Sequence, residues 1–510
     1  MLTVDRLFSK DMVLQRDKPI KFWGDGDGTE VTVTVQGMSS SAPISEGKWQ
    51  VTLAPLTASQ SETVLIQSGN EQVRIENVAI GEVWIAGGQS NMEFPLEYDA
   101  EASKVIPKAN NPHIRFYDCP KIRLEGQEKE EDYSKVGFWR PLNPTNAPFY
   151  SAVGFYFANQ IYEQLHVPVG IVGCNWGGTS ASTWLDESLL AADEDLRVYL
   201  DEYQAGIQNL DLFEYLVAEK KSRKYMQSWV VTKFMNSALK KTPGPLLSPL
   251  FTAIVQSGAK KKPPIGPRSE NRPGVLYHTM LQKIAGFSTR GVIWYQGEAD
   301  DLKADLYAKL FSAMIRCWRA AWQDELPFLF VQLAPYQKHL GFTAVNYPIL
   351  RDQQKIVSRT MPGAYMASIM DAGSRLDIHP KHKRPVGERL ALLARGKVYG
   401  EEILCEAPEV SEVKVEGDYL VISFIHAGDG LTLKGNHLES LEVFGDGKEV
   451  KPSRISVAEG KVTFQAEGIL SAKELEVCYA HRNYAKINLY NSAGLPAKPF
   501  RQLLTTDNQA

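Results

Sequence analysis

The chain contains 510 residues, of which 44% are hydrophobic and 23% are charged, and its formal net charge at pH 7 is -4. This composition is typical of a globular protein that buries a sizeable core. The near balance of charges gives no electrostatic reason to expect nucleic acid or an anionic membrane as a partner. No run approaches the roughly 20 apolar residues of a membrane span, and a prior of about 150 residues per domain predicts roughly three domains.

The cysteines are odd in number and widely spaced, at positions Cys119, Cys174, Cys317, Cys405 and Cys478. Because no C-x-x-C spacing occurs, the sequence predicts neither a zinc site nor a dense disulfide framework. We therefore expect mostly buried free thiols. Separately, we expect no bound metal and no other cofactor.

Residues 1–78 are predicted to form a small β domain. Val31, Val33 and Val35 alternate with threonines, and glycine- and aspartate-rich turns such as residues 24–28 separate the alternating runs. A period of two indicates strands with one buried face. The pattern predicts a β-sandwich-like domain, and nothing in it suggests catalysis.

From residue 79 to residue 404, short apolar strands alternate with segments of helical periodicity. This alternation predicts a parallel sheet covered by helices. Five parallel strands of this kind indicate a flavodoxin-like α/β domain. They are predicted at residues 83–86, 170–174, 291–295, 327–333 and 364–369.

The stretch from about residue 186 to residue 271 interrupts this alternation. It is largely helical in texture, and it ends in the loop signature Lys260–Pro264. We interpret it as a helical insertion beside the active-site edge of the sheet. The three consecutive lysines that begin at Lys260 are interpreted as part of a solvated loop, with contact to an anionic ligand as the alternative.

Residues 405–510 return to short strands separated by glycine, asparagine and aspartate turns. The intervals between these turns are typical of an antiparallel sandwich. The sequence therefore predicts a second β-sandwich-like domain at the end of the chain. We expect it to act as a scaffold for the α/β domain, with carbohydrate binding as the alternative.

A serine follows the first predicted parallel strand and is our candidate nucleophile. The apolar run 83–86 stops at glycines, and Ser90 comes next, between polar Gln89 and Asn91. The carboxyl ends of parallel strands form the edge where open α/β sheets bind ligands. A plain turn serine is the alternative interpretation. The window lacks the G-x-S-x-G nucleophile elbow, which disfavours an ordinary α/β-hydrolase.

A nucleophilic serine requires a base, a group that orients the base, and donors for the oxyanion. His379 lies in the loop after the last predicted parallel strand and is the candidate base. Asp377, two positions earlier, points the same way if this segment is extended, and it is the candidate orienting acid. A structural histidine is the alternative, but the paired carboxylate and the strand-end loop single out His379.

Two further strand ends offer oxyanion donors. The strand 170–174 leads into a loop that contains Gly178, whose backbone N–H can approach a substrate closely. The strand 291–295 leads into Gln296, whose side-chain amide can donate a hydrogen bond. Glu298, two positions later, is a rival for the role of the acid, with a surface or capping carboxylate as the alternative.

Four sequence blocks together resemble those of the sialate O-acetylesterase family, within the SGNH hydrolases. They are Gly88–Met92, Trp176–Thr179, Val292–Glu298 and Asp377–Pro380, in the family's order. The resemblance extends towards both ends of the chain and leaves out mainly the helical insertion. It implies an SGNH-type catalytic domain flanked by the two β domains.

The resemblance implies a role for each of these residues. Ser90 matches the nucleophile, His379 the general base and Asp377 the acid. The backbone N–H groups of Ser90 and Gly178, together with the side chain of Gln296, match the oxyanion hole.

Three features depart from the pattern of related enzymes. The spacing here is Asp-x-His, whereas many SGNH enzymes have Asp-x-x-His, and Gln296 stands where many have asparagine. Related acetylxylan esterases use a glutamate from the block that contains Glu298, so Asp377 and Glu298 both remain candidates for the acid. Tyr277–Met280 also differs from the usual family sequence, so a loop that contacts the substrate is expected to differ.

The expected function is a metal-independent serine esterase that removes O-acetyl groups from a carbohydrate. The resemblance implies 9-O-acetylated sialic acid as the first choice of substrate, with acetylxylan or another acetylated polysaccharide as the alternative. A non-catalytic carbohydrate-binding protein is the alternative from another class. Relatives of this architecture usually act outside the cytoplasm, so we expect a periplasmic or secreted protein whose export signal was removed before Met1. The sequence indicates no particular oligomeric state.

Overall fold

The computed structural model describes residues 1–127, 131–244, 247–261, 263–466 and 472–505. The chain forms two compact units. Unit 1 comprises residues 1–299, 309–329 and 381–391, and unit 2 comprises residues 300–308, 330–380 and 392–510. The domain boundaries expected near residues 78 and 404 remain predictions.

The described strands follow the chain in this order: β1 (Val13–Gln15), β2 (Ile20–Asp25), β3 (Glu30–Val35), β4 (Met38–Pro43), β5 (Lys48–Leu53), β6 (Ser59–Ser68), β7 (Glu71–Gly88), β8 (Asn111–Asp118), β9 (Trp139–Leu142), β10 (Val169–Asn175), β11 (Gly291–Tyr295), β12 (Phe328–Val331), β13 (Lys338–His339), β14 (Phe342–Thr343), β15 (Ala364–Ala367), β16 (Glu409–Glu416), β17 (Tyr419–Ile425), β18 (Leu431–Leu433), β19 (Leu441–Gly445), β20 (Lys448–Val450), β21 (Pro452–Ala458), β22 (Lys461–Ala466), β23 (Glu474–Tyr479), β24 (Leu489–Asn491) and β25 (Phe500–Thr505).

The described α-helices are α1 (Ser90–Glu93), α2 (Ala102–Val105), α3 (Ala152–Leu165), α4 (Glu187–Ala191), α5 (Val198–Ile207), α6 (Leu212–Met226), α7 (Trp229–Lys240), α8 (Ser248–Lys261), α9 (Gln282–Ile284), α10 (Tyr307–Trp322), α11 (Tyr347–Thr360) and α12 (Arg384–Leu393). Among the described residues, no helix is both long enough and apolar enough to cross a bilayer. All five cysteines are buried, as predicted.

Strand β7 organises unit 1 because it belongs to two kinds of sheet. Its first half pairs with β6 in the antiparallel N-terminal β region. Its second half, residues 82–88, lies between β10 and β11 in a parallel arrangement. These seven residues are all buried, as expected for a parallel strand that is covered on both faces. One continuous strand therefore connects the N-terminal β region to the central sheet.

The central sheet of unit 1 has the strand order β11-β7-β10-β8-β9, in which only β9 pairs antiparallel with its neighbour. The five parallel strands predicted from the sequence correspond to β7, β10, β11, β12 and β15. Strand β8 pairs in parallel with β10 and was not predicted. The predicted α/β class, with a mostly parallel sheet and additional β regions, is confirmed, but the exact count of five strands is not.

The stretch expected to be a helical insertion carries helices α4 to α8. Asp186 and Asp211 accept hydrogen bonds at the amino ends of α4 and α6, which fixes where these helices begin. Lys260 and Lys261 end helix α8, so the interpretation of these two lysines as loop residues was wrong. Residue 262, the third lysine, lies outside the described residues.

Unit 2 contains antiparallel β-structure towards the carboxyl end of the chain. Two four-stranded sheets have the orders β16-β17-β22-β21 and β20-β19-β23-β25. Alternate side chains of these strands enter one buried apolar cluster, which includes Leu420, Val443, Phe464 and Val477. Earlier in unit 2, β13 and β14 form a short antiparallel hairpin.

Candidate active site

Ser90 lies at the carboxyl end of β7, where it begins the short helix α1. Gly88, the last residue of the strand, has a φ of +130°, and a Cβ at this position would lie 2.2 Å from the carbonyl oxygen of Tyr295. Only glycine fits both conditions. The N–H of Gln89 then donates to the same oxygen over 3.0 Å. The chain therefore turns sharply against β11 and leaves Ser90 half-buried at the sheet edge.

The loop after β10 brings a second predicted element beside the serine. The N–H of Trp176 donates to the carbonyl oxygen of Gly88 over 3.0 Å. A Cβ placed on Gly177 would lie only 3.2 Å from the Cβ of Ser90. Gly178 follows with a φ of +76°, is exposed, and has no heavy atom within 4 Å of where its Cβ would be. Space for a ligand therefore exists beside the backbone of Gly178.

Glu93, in the same short helix as Ser90, anchors this loop. Its Oε2 accepts a hydrogen bond from the N–H of Gly177 over 2.7 Å. Its other carboxylate oxygen pairs with the ammonium group of Lys121. Glu93 was not among the residues predicted from the sequence. Its place one helical turn after Ser90 is the only signal that would have suggested it.

A second carboxyl group lies near this ion pair. Burial raises the pKa of Asp118 to about 6, although the positive charges of Arg140 and Lys121 partly offset that effect. Geometrically, about 30% of the Asp118 side chain remains exposed, so the effect of burial is weaker than for a fully enclosed carboxyl group.

The block after β11 supplies Gln296 and Glu298. Gln296 is fully buried, and its Nε2 donates to the carbonyl oxygen of Thr179 over 3.2 Å. The Nδ2 of Asn91 donates to Oε1 of Glu298. Because β11 pairs with β7, both predicted residues lie at the same sheet edge as Ser90.

Lys383 extends this polar network, and sequence analysis did not predict it. Its side chain is 1% exposed, and its ammonium group donates to Oδ1 of Asn91. The same ammonium group lies 4.7 Å from the ring centroid of Phe94 and 5.4 Å from that of Tyr295. The amide of Asn91 thus bonds at one end to Lys383 and at the other to Glu298.

In unit 2, the predicted base and acid lie together. Asp377 is 1% exposed, and its Oδ1 accepts a hydrogen bond from the backbone N–H of His379 over 2.9 Å. A third residue, His339, places Nδ1 3.3 Å from Oδ1 of Asp377. One ligand-type atom from each of the three side chains lies within 4.8 Å of the others. Sequence analysis did not identify His339.

Among the described residues, two groups of side chains bring together atoms of the kinds that ligate metals. The first group is His339, Asp377 and His379, and the second is Asp186, Glu187 and His278. In the first group, Nδ1 of His339 already accepts a hydrogen bond from the N–H of Ile378 over 3.2 Å. In the second, the only exposed carboxylate is paired with His278 over 2.6 Å. Ordinary hydrogen bonds and ion pairs thus account for both groups.

The structure brings four of the six predicted residues to one sheet edge of unit 1, namely Ser90, Gly178, Gln296 and Glu298. The other two, Asp377 and His379, lie together in unit 2. An edge with a serine, an exposed glycine loop, a buried amide and a half-buried carboxylate has the components that acyl transfer requires.

Comparison with known proteins shows which class of enzyme this chain resembles. Residues 266–392 match the family model described as carbohydrate esterase, sialic acid-specific acetylesterase. A solved structure of a carbohydrate acetylesterase from Xanthomonas citri is similar, with a TM-score of 0.75 and 27% sequence identity over 98% of this chain and 99% of that one. The chain therefore contains a region that matches a carbohydrate esterase family model, and its fold is similar to that of a carbohydrate acetylesterase.

The curated relatives are all sialate O-acetylesterases, which is a narrower class than carbohydrate esterases. The chain is 28% identical to sialate O-acetylesterase of Rattus norvegicus, over 77% of this chain and 73% of that protein. It is 26% identical to sialate O-acetylesterase of Homo sapiens, over 78% and 71% respectively. The resemblance to the sialate O-acetylesterase family that the four sequence blocks predicted is confirmed.

Proposed function

We propose that this protein is a serine O-acetylesterase that removes 9-O-acetyl groups from sialic acids. The observation that carries the proposal is the sheet edge of unit 1. There Ser90 follows β7, the Gly178 loop follows β10 and Gln296 follows β11, so a proposed nucleophile and two kinds of oxyanion donor come from the ends of neighbouring strands. Carboxyl ends of parallel strands are the usual ligand-binding edge of such sheets.

In this mechanism Oγ of Ser90 attacks the acetyl carbonyl carbon while His379 accepts the hydroxyl proton. The negative charge of the tetrahedral intermediate is stabilised by the N–H groups of Ser90 and Gly178 and by the side-chain amide of Gln296. His379 then returns the proton to the leaving sugar alcohol. Water activated by the same histidine hydrolyses the acetyl-enzyme and releases acetate.

We assign the orienting acid to Asp377 and keep Glu298 as the alternative. The hydrogen bond between Asp377 and the backbone of His379, and the proximity of their side chains, support this choice. Loss of the acid in an established triad reduces kcat by about 10⁴-fold. We therefore expect Asp377→Asn to reduce kcat by about 10³-fold or more, and Glu298→Gln to reduce it by no more than about tenfold. The opposite ranking would transfer the role to Glu298.

The substrate proposal rests on the family. The matched model is described as sialic acid-specific, and the curated relatives are sialate O-acetylesterases. A second candidate is an acetylated polysaccharide such as xylan, because the similar Xanthomonas citri protein is described only as a carbohydrate acetylesterase. A periplasmic or secreted location, and domains at 1–78, 79–404 and 405–510, complete the proposal.

The deciding experiment measures acetate release from 9-O-acetylated sialic acid and from acetylated xylan, with Ser90→Ala as the matched control. Release from the sialate that disappears in Ser90→Ala supports the full proposal. Serine-dependent release from xylan alone keeps the mechanism and changes the substrate. If neither polymer nor sialate is hydrolysed, and p-nitrophenyl acetate is also left intact, the esterase proposal fails and the non-catalytic carbohydrate-binding alternative is tested next by direct binding of both carbohydrates.

A further inference from the structure

The hairpin β13–β14 of unit 2 presents His339 towards the loop that contains the proposed acid and base. Its two turn residues, Leu340 and Gly341, have φ angles of +48° and +90°. Positive φ at both positions is typical of the tight two-residue turns that match the twist of paired strands. His339 lies directly before this turn, where the backbone has little freedom. The position of its Cα is therefore well defined.

Hydrogen bonds tie the base of the hairpin to the same loop. The N–H groups of Gln337 and Lys338 both donate to the carbonyl oxygen of Arg375, over 3.3 and 3.1 Å. Nε of Arg375 returns a hydrogen bond to the side-chain oxygen of Gln337 over 2.6 Å. One residue earlier, Tyr336 and Ser374 form a parallel β-bridge. The segment that leads into Asp377 is thus aligned along the hairpin.

His339 completes this attachment at the catalytic turn itself. Its Nδ1 accepts a hydrogen bond from the N–H of Ile378 over 3.2 Å, and the next N–H, that of His379, donates to Asp377. Both amide groups that follow Asp377 are therefore bound to side chains. His339 is 9% exposed and Ile378 is half-buried, so this hydrogen bond lies where water has only partial access. A donor left without an acceptor in such a place is costly.

We propose that His339 is a positioning residue for the proposed acid and base. By accepting the N–H of Ile378, it holds the turn in the conformation in which Asp377 lies beside His379. The proposal rests on the proposed function, because the turn matters for catalysis only if these two residues perform it. An ordinary core histidine would contribute packing alone, and a side chain of similar size would then replace it.

Two substitutions separate these roles. His339→Asn keeps an acceptor, because its Oδ1 occupies nearly the place of Nδ1, whereas His339→Leu keeps apolar bulk and removes the acceptor. Phe342→Ser is the matched control. Phe342 pairs with His339 across the hairpin, but its side chain is 57% exposed.

The first readout is steady-state hydrolysis of p-nitrophenyl acetate. We expect His339→Leu to lower kcat at least tenfold with KM within twofold of wild type. His339→Asn should stay within threefold of wild type for both constants, and Phe342→Ser should match wild type. The proposal is overturned if His339→Leu keeps more than half of the wild-type kcat, or if His339→Asn loses as much activity as His339→Leu.

The second readout does not depend on activity. Hydrogen exchange measured by mass spectrometry on peptides that cover residues 376–380 reports how well the turn is held. Exchange should accelerate in His339→Leu and stay near the wild-type rate in His339→Asn. Unchanged exchange in His339→Leu would overturn the positioning role. If the wild-type protein lacks esterase activity but exchange responds as expected, the proposed function fails while the structural role of His339 stands.

Discussion

The carboxylate of Glu93 is the contact that holds the Gly177–Gly178 loop beside Ser90. Its Oε2 accepts the N–H of Gly177 over 2.7 Å, and the next N–H along the chain is the proposed oxyanion donor. Removal of the carboxylate in Glu93→Ala leaves the loop without this anchor. Because the loop is proposed to act on the tetrahedral intermediate, we expect kcat and kcat/KM to fall together.

The size of the effect follows from the exposure of this contact. A hydrogen bond to a charged group contributes about 1.5–3 kcal/mol, and the lower end applies because the Glu93 side chain is 35% exposed. About 1.5 kcal/mol corresponds to roughly a tenfold fall in rate. Glu93→Gln keeps an acceptor and loses mainly the ion pair with Lys121, which contributes about 0–1 kcal/mol at such exposure. We therefore expect a fall of no more than about fivefold in Glu93→Gln.

The assay is steady-state hydrolysis of p-nitrophenyl acetate by wild type, Glu93→Ala, Glu93→Gln and Lys121→Met. Lys121→Met removes the ion pair but leaves the hydrogen bond to Gly177, so its rate should stay within about threefold of wild type. Thermal unfolding of each variant serves as the control for folding. A Glu93→Ala enzyme that is as fast as Glu93→Gln would refute the anchoring role of the carboxylate.

Two further predictions concern stability. In thermal melts, Gly88→Ala should lower stability by more than about 4 kcal/mol or prevent folding, because its Cβ would strike the backbone of β11. Gly178→Ala, which meets only the cost of a positive φ, should lose about 1–2 kcal/mol, and equal losses would contradict this account. Burial opposes ionisation of Glu82, but Arg290 and Arg16 outweigh it and lower the pKa of this carboxyl. The contribution of the Glu82 carboxylate to stability is therefore fully present above its pKa in the unfolded chain, about 4.3, and it is lost as the pH falls through its lower pKa in the folded protein. The difference in Tm between wild type and Glu82→Gln should be large at pH 7 and shrink below about pH 4, and a pH-independent difference would argue against it.

The sequence predicted the parallel strands whose central residues are apolar and missed β8, in which an arginine is buried in the middle of the strand. The run Asn111–Asp118 contains Arg115, which interrupts the apolar pattern of β8. Arg115 is nevertheless 2% exposed, because its guanidinium donates to backbone carbonyl oxygens that include that of Met12, over 3.2 Å. The sequence pattern shows that the residue is charged, but it does not show the distant carbonyl oxygens that accept its hydrogen bonds. The periodicity therefore did not predict β8 as a parallel strand of the sheet.

The same limit applies to the site. Ser90, Gly178, Gln296 and Glu298 each follow a recognisable strand, and the rule that parallel strands end at one edge is enough to bring them together. Lys383 has no such signal, because its partner Asn91 is 292 positions away in the chain. Local patterns can place a residue at the end of an element. They cannot identify a contact that only the folded chain creates.

The network around Asn91 bears on the choice between the two candidate acids. A buried ammonium group requires compensation, since isolated charges are costly away from water. Asn91 accepts a hydrogen bond from Lys383 and donates one to Glu298, so it joins the positive charge to a negative one through a neutral amide. Glu298 therefore has a structural reason to be where it is, as the countercharge of Lys383. Glu298 is half-buried at this edge and does not need a catalytic role to explain its position, which favours Asp377 as the proposed acid that orients His379.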